Sequence, residues 1–134
     1  MEVAKIVERI ESSGLEEFEG TVVAVECETG MEGRLQYHVS IKPTSIEVKG
    51  STGRMHEWIP MSPKATENSV PQGSVMDKYL TQIEICISAA KKAATIADAF
   101  SLLKGKTFSF KKIKLGQSFD GHPAKEYIVP VALI

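Results

Sequence analysis

The feature that most constrains the fold is a nine-residue segment, residues 34–42, in which polar and apolar side chains alternate without a break. The apolar positions are Leu35, Tyr37, Val39 and Ile41. The polar positions are Arg34, Gln36, His38, Ser40 and Lys42. Because successive side chains of a strand point to opposite faces, the pattern predicts a β-strand with one buried and one solvated face.

Four further segments have strand character, and all are rich in β-branched or aromatic residues. They are residues 18–28, 54–61, 106–115 and 124–134. In the first, Thr21, Val23, Val25 and Cys27 are predicted to share one face, and Gly20 predicts a bend or a close backbone approach. Met55, Glu57 and Ile59 are predicted to oppose His56, Trp58 and Pro60. Phe108 and Phe110 are predicted to share a core face, and Pro130 predicts an edge or a bulge.

Helical patterns lie before the first strand and between the third and fourth strands. Residues 1–14 predict an N-terminal helix that ends near Gly14. Ser74 with Asp77 and Thr95 with Asp98 are Ser/Thr-x-x-Asp capping signatures. They predict a helix over about 75–92, of which Ile83–Ile87 is also compatible with strand, and a second short helix that stops at Gly105. Residues 60–74 predict a long surface loop.

Composition places the chain among ordinary globular proteins. Its 134 residues are 43% hydrophobic and 25% charged, which predicts one domain over residues 1–134. We expect a cytoplasmic protein without a membrane partner, because no apolar run approaches 18 residues and the N-terminus lacks a signal-peptide pattern. Two cysteines are too few for a disulfide scaffold.

Charge is distributed unevenly although the net charge is −1. Residues 1–33 hold nine Glu against Lys5 and Arg9, a balance of −7, whereas residues 101–134 hold six Lys against Asp120 and Glu126, a balance of +4. Such a chain can present two electrostatic faces, one of which would steer a polyanion. The alternative is that these charges simply solvate the surface.

The order of predicted elements resembles the OB-fold, a five-stranded, partly open barrel. The stretches that carry the resemblance are Gly20–Val25, Leu35–Val48 and Leu103–Phe108. It implies an α+β, mainly β fold, with the N-terminal helix added and a helical insertion between strands three and four. Another α+β sheet with helices on one face is the alternative fold.

The resemblance also implies non-catalytic binding of single-stranded DNA or RNA on the outward face of strands two and three. The candidate residues there are Arg34, Gln36, His38, Ser40, Lys42, His56 and Trp58. Trp58 is either a stacking residue or part of the core. The basic stretch from Lys104 to Lys114 adds Lys104, Lys106, Lys111, Lys112 and Lys114, which either contact phosphates or protect a sheet edge. If these lysines share one surface with Arg34 and Lys42, nucleic-acid binding gains support, and if they scatter it loses most of its support.

Other chemistry has little support in the sequence. Cys27, Cys86 and the histidines lack metal-ligand spacing, so no metal site and no cofactor are predicted, although His38 and His56 are able to meet on neighbouring strands. Gly105-Lys106-Thr107 resembles the end of a P-loop, but Phe100 stands where that motif needs glycine. No nucleophile signature occurs, and we expect no enzyme. Two alternatives remain, namely a protein-interaction or assembly subunit, including a homo-oligomer, and a small-molecule-binding domain.

Overall fold

The computed structural model describes residues 17–30, 33–44, 53–115 and 125–134. Within them the strands are β1 (Glu17–Thr29), β2 (Leu35–Pro43), β3 (Met55–Pro60), β4 (Thr107–Lys114) and β5 (Glu126–Leu133). Two α-helices, α1 (Val75–Cys86) and α2 (Ile96–Ser101), lie between β3 and β4, separated by a 3₁₀ segment (Ser88–Lys92). All five predicted strands are confirmed. The predicted helix over residues 1–14 lies outside the described residues.

The five strands form one sheet in the order β3-β2-β1-β4-β5, and every neighbouring pair is antiparallel. The long strand β1 is central, since its first part (Glu17–Thr21) pairs with β4 and the stretch from Gly20 to Thr29 pairs with β2. This arrangement confirms the α+β, mainly β class and gives a partly open sheet.

Strand β1 corrects one sequence-based prediction. Thr21, Val23, Val25 and Cys27, predicted to share one face, do not: Phe18 and Val22 are buried, which places Thr21 on the outward side, whereas Val25 and Cys27 lie opposite the buried Val39 and Tyr37. The cause is a bulge at Val23, because Val22 pairs with Ile41 and Ala24 with the adjacent Ser40. An extra residue in a strand reverses the alternation on its far side, so one face cannot extend unbroken from Thr21 to Cys27.

The helices begin where their capping signatures predicted. Ser74 Oγ accepts from Asp77 N at 3.2 Å, and Thr95 Oγ1 accepts from Asp98 N at 3.1 Å. The first helix ends at Cys86 rather than near residue 92, and a 3₁₀ segment continues the chain. Residues 83–86 are therefore helical, which excludes the strand alternative for them.

The core lies between the inner face of the sheet and the two helices. Val39, Ile41, Ile59, Phe108 and Phe110 from the strands meet Met76, Tyr79, Ile83 and Phe100 from the helices. The Phe100 ring stacks between Tyr37 and Tyr79, with ring-centre distances of 4.4 and 5.7 Å. The prediction that Phe108 and Phe110 belong to the core is confirmed.

A buried carboxylate connects the two outer strands of the sheet. Glu57 on β3 is 8% exposed, and its Oε2 accepts from the backbone N–H of Ile128 on β5 at 3.1 Å. The Tyr79 hydroxyl of α1 donates to the carbonyl of the same Ile128 at 3.0 Å. The two edge strands, β3 and β5, are therefore linked by a side-chain hydrogen bond instead of a ladder of backbone hydrogen bonds.

In the part of the chain that the structure describes, neither helix has the length and apolar character that crossing a membrane requires.

Candidate binding face on strands β1 to β3

The strand register aligns a set of polar and aromatic side chains on the solvent side of the sheet. Glu26 of β1 is opposite His38 of β2, which is opposite Trp58 of β3. Directly opposite residues in antiparallel strands lie about 4.5–5.5 Å apart at Cβ, so their side chains are in contact range. We use the name outer face for Glu26, Glu28, Gln36, His38, Ser40, His56 and Trp58.

Trp58 lies on this surface and not in the core. Its side chain is 41% exposed, and its indole stacks on the His38 ring with centroids 4.7 Å apart and planes 14° from parallel. The indole Nε1–H donates to Glu28 Oε1 at 2.9 Å. The alternation of Glu57 and Trp58 along β3 explains the placement, since Glu57 points inward and its neighbour outward. The alternative of a core tryptophan is therefore wrong.

A chain of polar contacts holds the stacked pair in place. Glu28 Oε1 also accepts from Gln36 Nε2 at 3.1 Å, and Glu28 Oε2 lies 3.5 Å from His38 Nδ1. On its other side, His38 Nε2 lies 2.8 Å from His56 Nδ1, and Ser40 Oγ lies 3.3 Å from the same Nδ1. A hydrogen bond between two imidazoles requires that one nitrogen carry the proton and the other accept it. The two rings therefore adopt matched tautomers, which fixes their orientation under Trp58.

The predicted basic residues do not all meet at this face. Arg34 immediately precedes β2, and Lys42 lies near its far end. Eight residues of extended strand separate them by roughly 26 Å. Both side chains are exposed, and they flank the outer face at its two ends.

The lysines between Lys104 and Lys114 are spread over β4 and the turn before it. Gly105 N donates to Val22 O at 2.8 Å, which brings this turn beside β1 near the Thr21–Lys42 pair. Lys106 Nζ donates to Leu102 O at 2.7 Å, and Lys111 is opposite Glu17. Lys112 is half-buried and lies near Glu57, where its charge lowers the pKa of Glu57, although burial of Glu57 raises that pKa by more. Lys114 is opposite Glu126. The five lysines therefore form no single surface with Arg34 and Lys42.

Two functional candidates, Glu26 and Glu28, are absent from the set that the sequence predicts. Their alternation with Val25 and Cys27 is visible in the sequence and indicates an outward orientation. Their proximity to His38 and Trp58 depends on which residues of β1 and β2 pair, and alternation does not specify that register. One ligand atom from each of Glu26, Glu28 and His38 lies within 4.8 Å of the others.

Three surface pockets lie away from the outer face. Their volumes are about 180, 260 and 350 Å³, so two are smaller than the roughly 300–1,000 Å³ typical of small-molecule sites and the third is near the lower end of that range. The first lies between the loop at Asn68–Val70 and the helices, and none of the three is lined by an outer-face residue. The small-molecule alternative gains no support from them.

No protein-family model matches the chain, and no curated protein sequence matches it either.

Proposed function

We propose that this chain is a non-catalytic, OB-type module that binds single-stranded nucleic acid on the outer face. Two features of the fold support the OB plan: five antiparallel strands with helices between the third and fourth, and outer strands linked through Glu57. In such folds the exposed face of the second and third strands is the usual binding surface. Here that face carries His38, His56 and Trp58.

The observation that carries the proposal is the exposed stack of Trp58 on His38. Bases bind to aromatic side chains by stacking, which contributes about 1–3 kcal/mol per base and tolerates any sequence. His38 and His56 both stack against the indole and Glu28 holds its Nε1–H, while Trp58 remains 41% exposed and so accessible to a base. A ring held in advance loses little conformational entropy when a base binds.

Charge on the outer face indicates that stacking outweighs phosphate contacts. Glu26 and Glu28 would repel phosphates at the centre of the face, while Arg34 and Lys42 would attract them at its ends. Two phosphate contacts on a single strand correspond to a slope of about −1.4 in log K against log salt concentration. We therefore expect a shallower salt dependence than for a protein that uses a continuous basic groove.

The first test is a fluorescence anisotropy titration of labelled single-stranded DNA and RNA oligonucleotides at several salt concentrations. Trp58 is the sole tryptophan, so its emission reports directly on this face. We expect saturable binding that quenches Trp58 and that weakens about 5- to 150-fold in Trp58→Ala, the equivalent of one stacked base. Ile85→Ala removes another exposed apolar side chain, from α1, and serves as the matched control.

Two results would contradict the proposal: no binding at low salt, or binding that Trp58→Ala leaves unchanged. The first result, together with a solution mass of two chains, would favour assembly instead. Strand β5 supports that alternative, because it pairs only with β4 among the described strands, and Leu133 at its end and the following Ile134 are 48% and 61% exposed. An apolar edge strand is able to pair with the same strand of a second copy.

A further inference from the structure

Glu26, Glu28 and His38 bring three metal-ligating groups together on the outer face. Glu26 is directly opposite His38 across the β1–β2 ladder, and Glu28 is two residues further along the same side of β1. Their nearest ligand atoms all lie within 4.8 Å of one another. The backbone register therefore places the His38 imidazole directly opposite Glu26 and diagonal to Glu28.

We infer that these three side chains bind a divalent first-row transition metal ion, for which Zn²⁺ is the representative probe. One imidazole nitrogen and two carboxylate oxygens form a ligand set that zinc accepts at about 2.0–2.2 Å, and three protein ligands leave a position open to solvent. The imidazole disfavours Mg²⁺ and Ca²⁺, which prefer all-oxygen sites. This site does not rest on the proposed function, and its test needs no nucleic acid.

The spacing between Glu28 and His38 supports a bound ion. Glu28 Oε2 lies 3.5 Å from His38 Nδ1, beyond the usual N–H···O range of about 2.7–3.2 Å. Two ligands of a tetrahedral zinc ion, each about 2.0–2.1 Å from the metal, are separated by roughly 3.3–3.5 Å. The distance between Glu28 Oε2 and His38 Nδ1 is therefore compatible with both atoms binding the same zinc ion.

The hydrogen bonds of Glu28 and His38 leave one carboxylate oxygen and one ring nitrogen available to a metal ion. Glu28 Oε1 is already engaged by Gln36 and Trp58, so Oε2 is the oxygen available to a metal. With a metal on Nδ1, His38 carries its proton on Nε2 and donates it to His56 Nδ1, 2.8 Å away. Metal-bound histidines commonly donate their second nitrogen in this way, which fixes the ring. Glu26 is exposed and able to rotate its carboxylate onto the ion.

The test is calorimetric titration of the full chain with Zn²⁺ in a buffer free of chelators, together with Trp58 emission during titration with paramagnetic Co²⁺. Trp58 stacks on His38, so an ion on His38 lies near enough to quench it. We expect one equivalent of metal to bind and to quench Trp58. Glu26→Gln should weaken binding about tenfold or more, and His56→Ala, which removes the partner of Nε2, by about 10- to 100-fold.

Two control variants separate this site from other sources of affinity. Glu17→Gln removes the same charge from an exposed position at the other end of β1 and should leave binding unchanged. Cys27→Ser removes an exposed thiol, a competing zinc ligand, and should also leave binding unchanged. Thermal melting of each variant confirms that it folds. Since Glu26 is exposed, Glu26→Gln is the decisive variant.

Absence of saturable binding up to millimolar Zn²⁺ would overturn the inference, as would binding that Glu26→Gln and His38→Ala leave intact. Loss of binding in Cys27→Ser would also overturn it, because the thiol and not the outer face would then hold the ion.

Discussion

Gly20 is a position where β1 packs closely against β2. A Cβ added there would lie 2.7 Å from Ile41 Cγ2 and 3.2 Å from the Lys42 carbonyl oxygen. Ile41 is fully buried, so its methyl group cannot move aside without disturbing the core. The sequence-based expectation of a close backbone approach at Gly20 is thereby confirmed.

We therefore predict that Gly20→Ala destabilises the protein by about 1–3 kcal/mol through overpacking. Urea unfolding followed by circular dichroism measures the change. Gly33→Ala is a contrasting control, because Gly33 has open space around it and a φ of 75°, so its cost comes from backbone strain alone. An unchanged midpoint in Gly20→Ala would contradict the tight packing described for β1.

At the scale of the element, α1 begins with a cap that satisfies backbone donors on both sides of Ser74. Ser74 Oγ accepts from Asp77 N, and Asp77 Oδ2 accepts from Gly73 N at 2.7 Å. Helix α1 supplies Met76, Tyr79 and Ile83 to the core, so its start positions three fully buried side chains.

We predict that Ser74→Ala lowers the free energy of unfolding by about 1 kcal/mol, because it leaves one N–H of the first turn without its side-chain acceptor. The measurement is the midpoint of chemical unfolding. Ser88→Ala, which changes an exposed serine outside both capped helix starts, is the control. Equal effects of the two substitutions would show that the cap contributes nothing specific.

Helix caps depend on residues close together in the sequence, whereas strand register depends on residues far apart. This difference explains which features of the fold and of the site could be predicted from the sequence. Ser74 and Asp77 are three residues apart, so their interaction is local and its signature is visible in the chain. The alternation in β2 and β3 correctly placed His38 and His56 on the polar face, because a period of two needs no partner, whereas for Trp58 the sequence left a core position open and only the structure shows it to be exposed. The pairing of Glu26 with His38 is different, since it depends on the hairpin between β1 and β2 and on the bulge at Val23. The bulge changes the parity of the apolar positions in β1, from Phe18 and Val22 to Val25 and Cys27, but the register between the two strands leaves no mark in the alternation of either strand alone.

At the scale of the whole molecule, Glu57 links the two edge strands, β3 and β5. The link places its carboxyl group in the protein interior, where the ionised form is unfavourable. Its carboxylate accepts from the backbone of Ile128 and of Trp58, but burial outweighs these bonds and raises its pKa above the ordinary value of 4.5. When the pKa of a carboxyl group is higher in the folded state than in the unfolded state, the contribution of that group to stability is complete at pH values below the unfolded-state pKa. That contribution is lost as the pH rises through the folded value.

We predict that the wild-type protein loses stability relative to Glu57→Gln as the pH rises from about 5 to about 8, because only the wild type must ionise a buried group. Unfolding free energies of both proteins at the two pH values give the difference. Glu126→Gln, which removes an exposed carboxylate from β5, should show no such trend. A difference that is independent of pH would contradict the assignment to Glu57.

The bulge at Val23 also determines how β1 tolerates changes in length during evolution. If the strand ran through Val23 without a bulge, Ala24, Glu26 and Glu28 would face inward with Val22, and two carboxylates would turn to the helix-covered side of the sheet. Deletion of Val23 keeps Val22 and Val25 inward and both glutamates outward, so it preserves the polarity of each face. Deletion at Val25 instead would turn the remainder of β1 over. Val23 is thus the site in β1 where natural variation in length is compatible with an intact outer face.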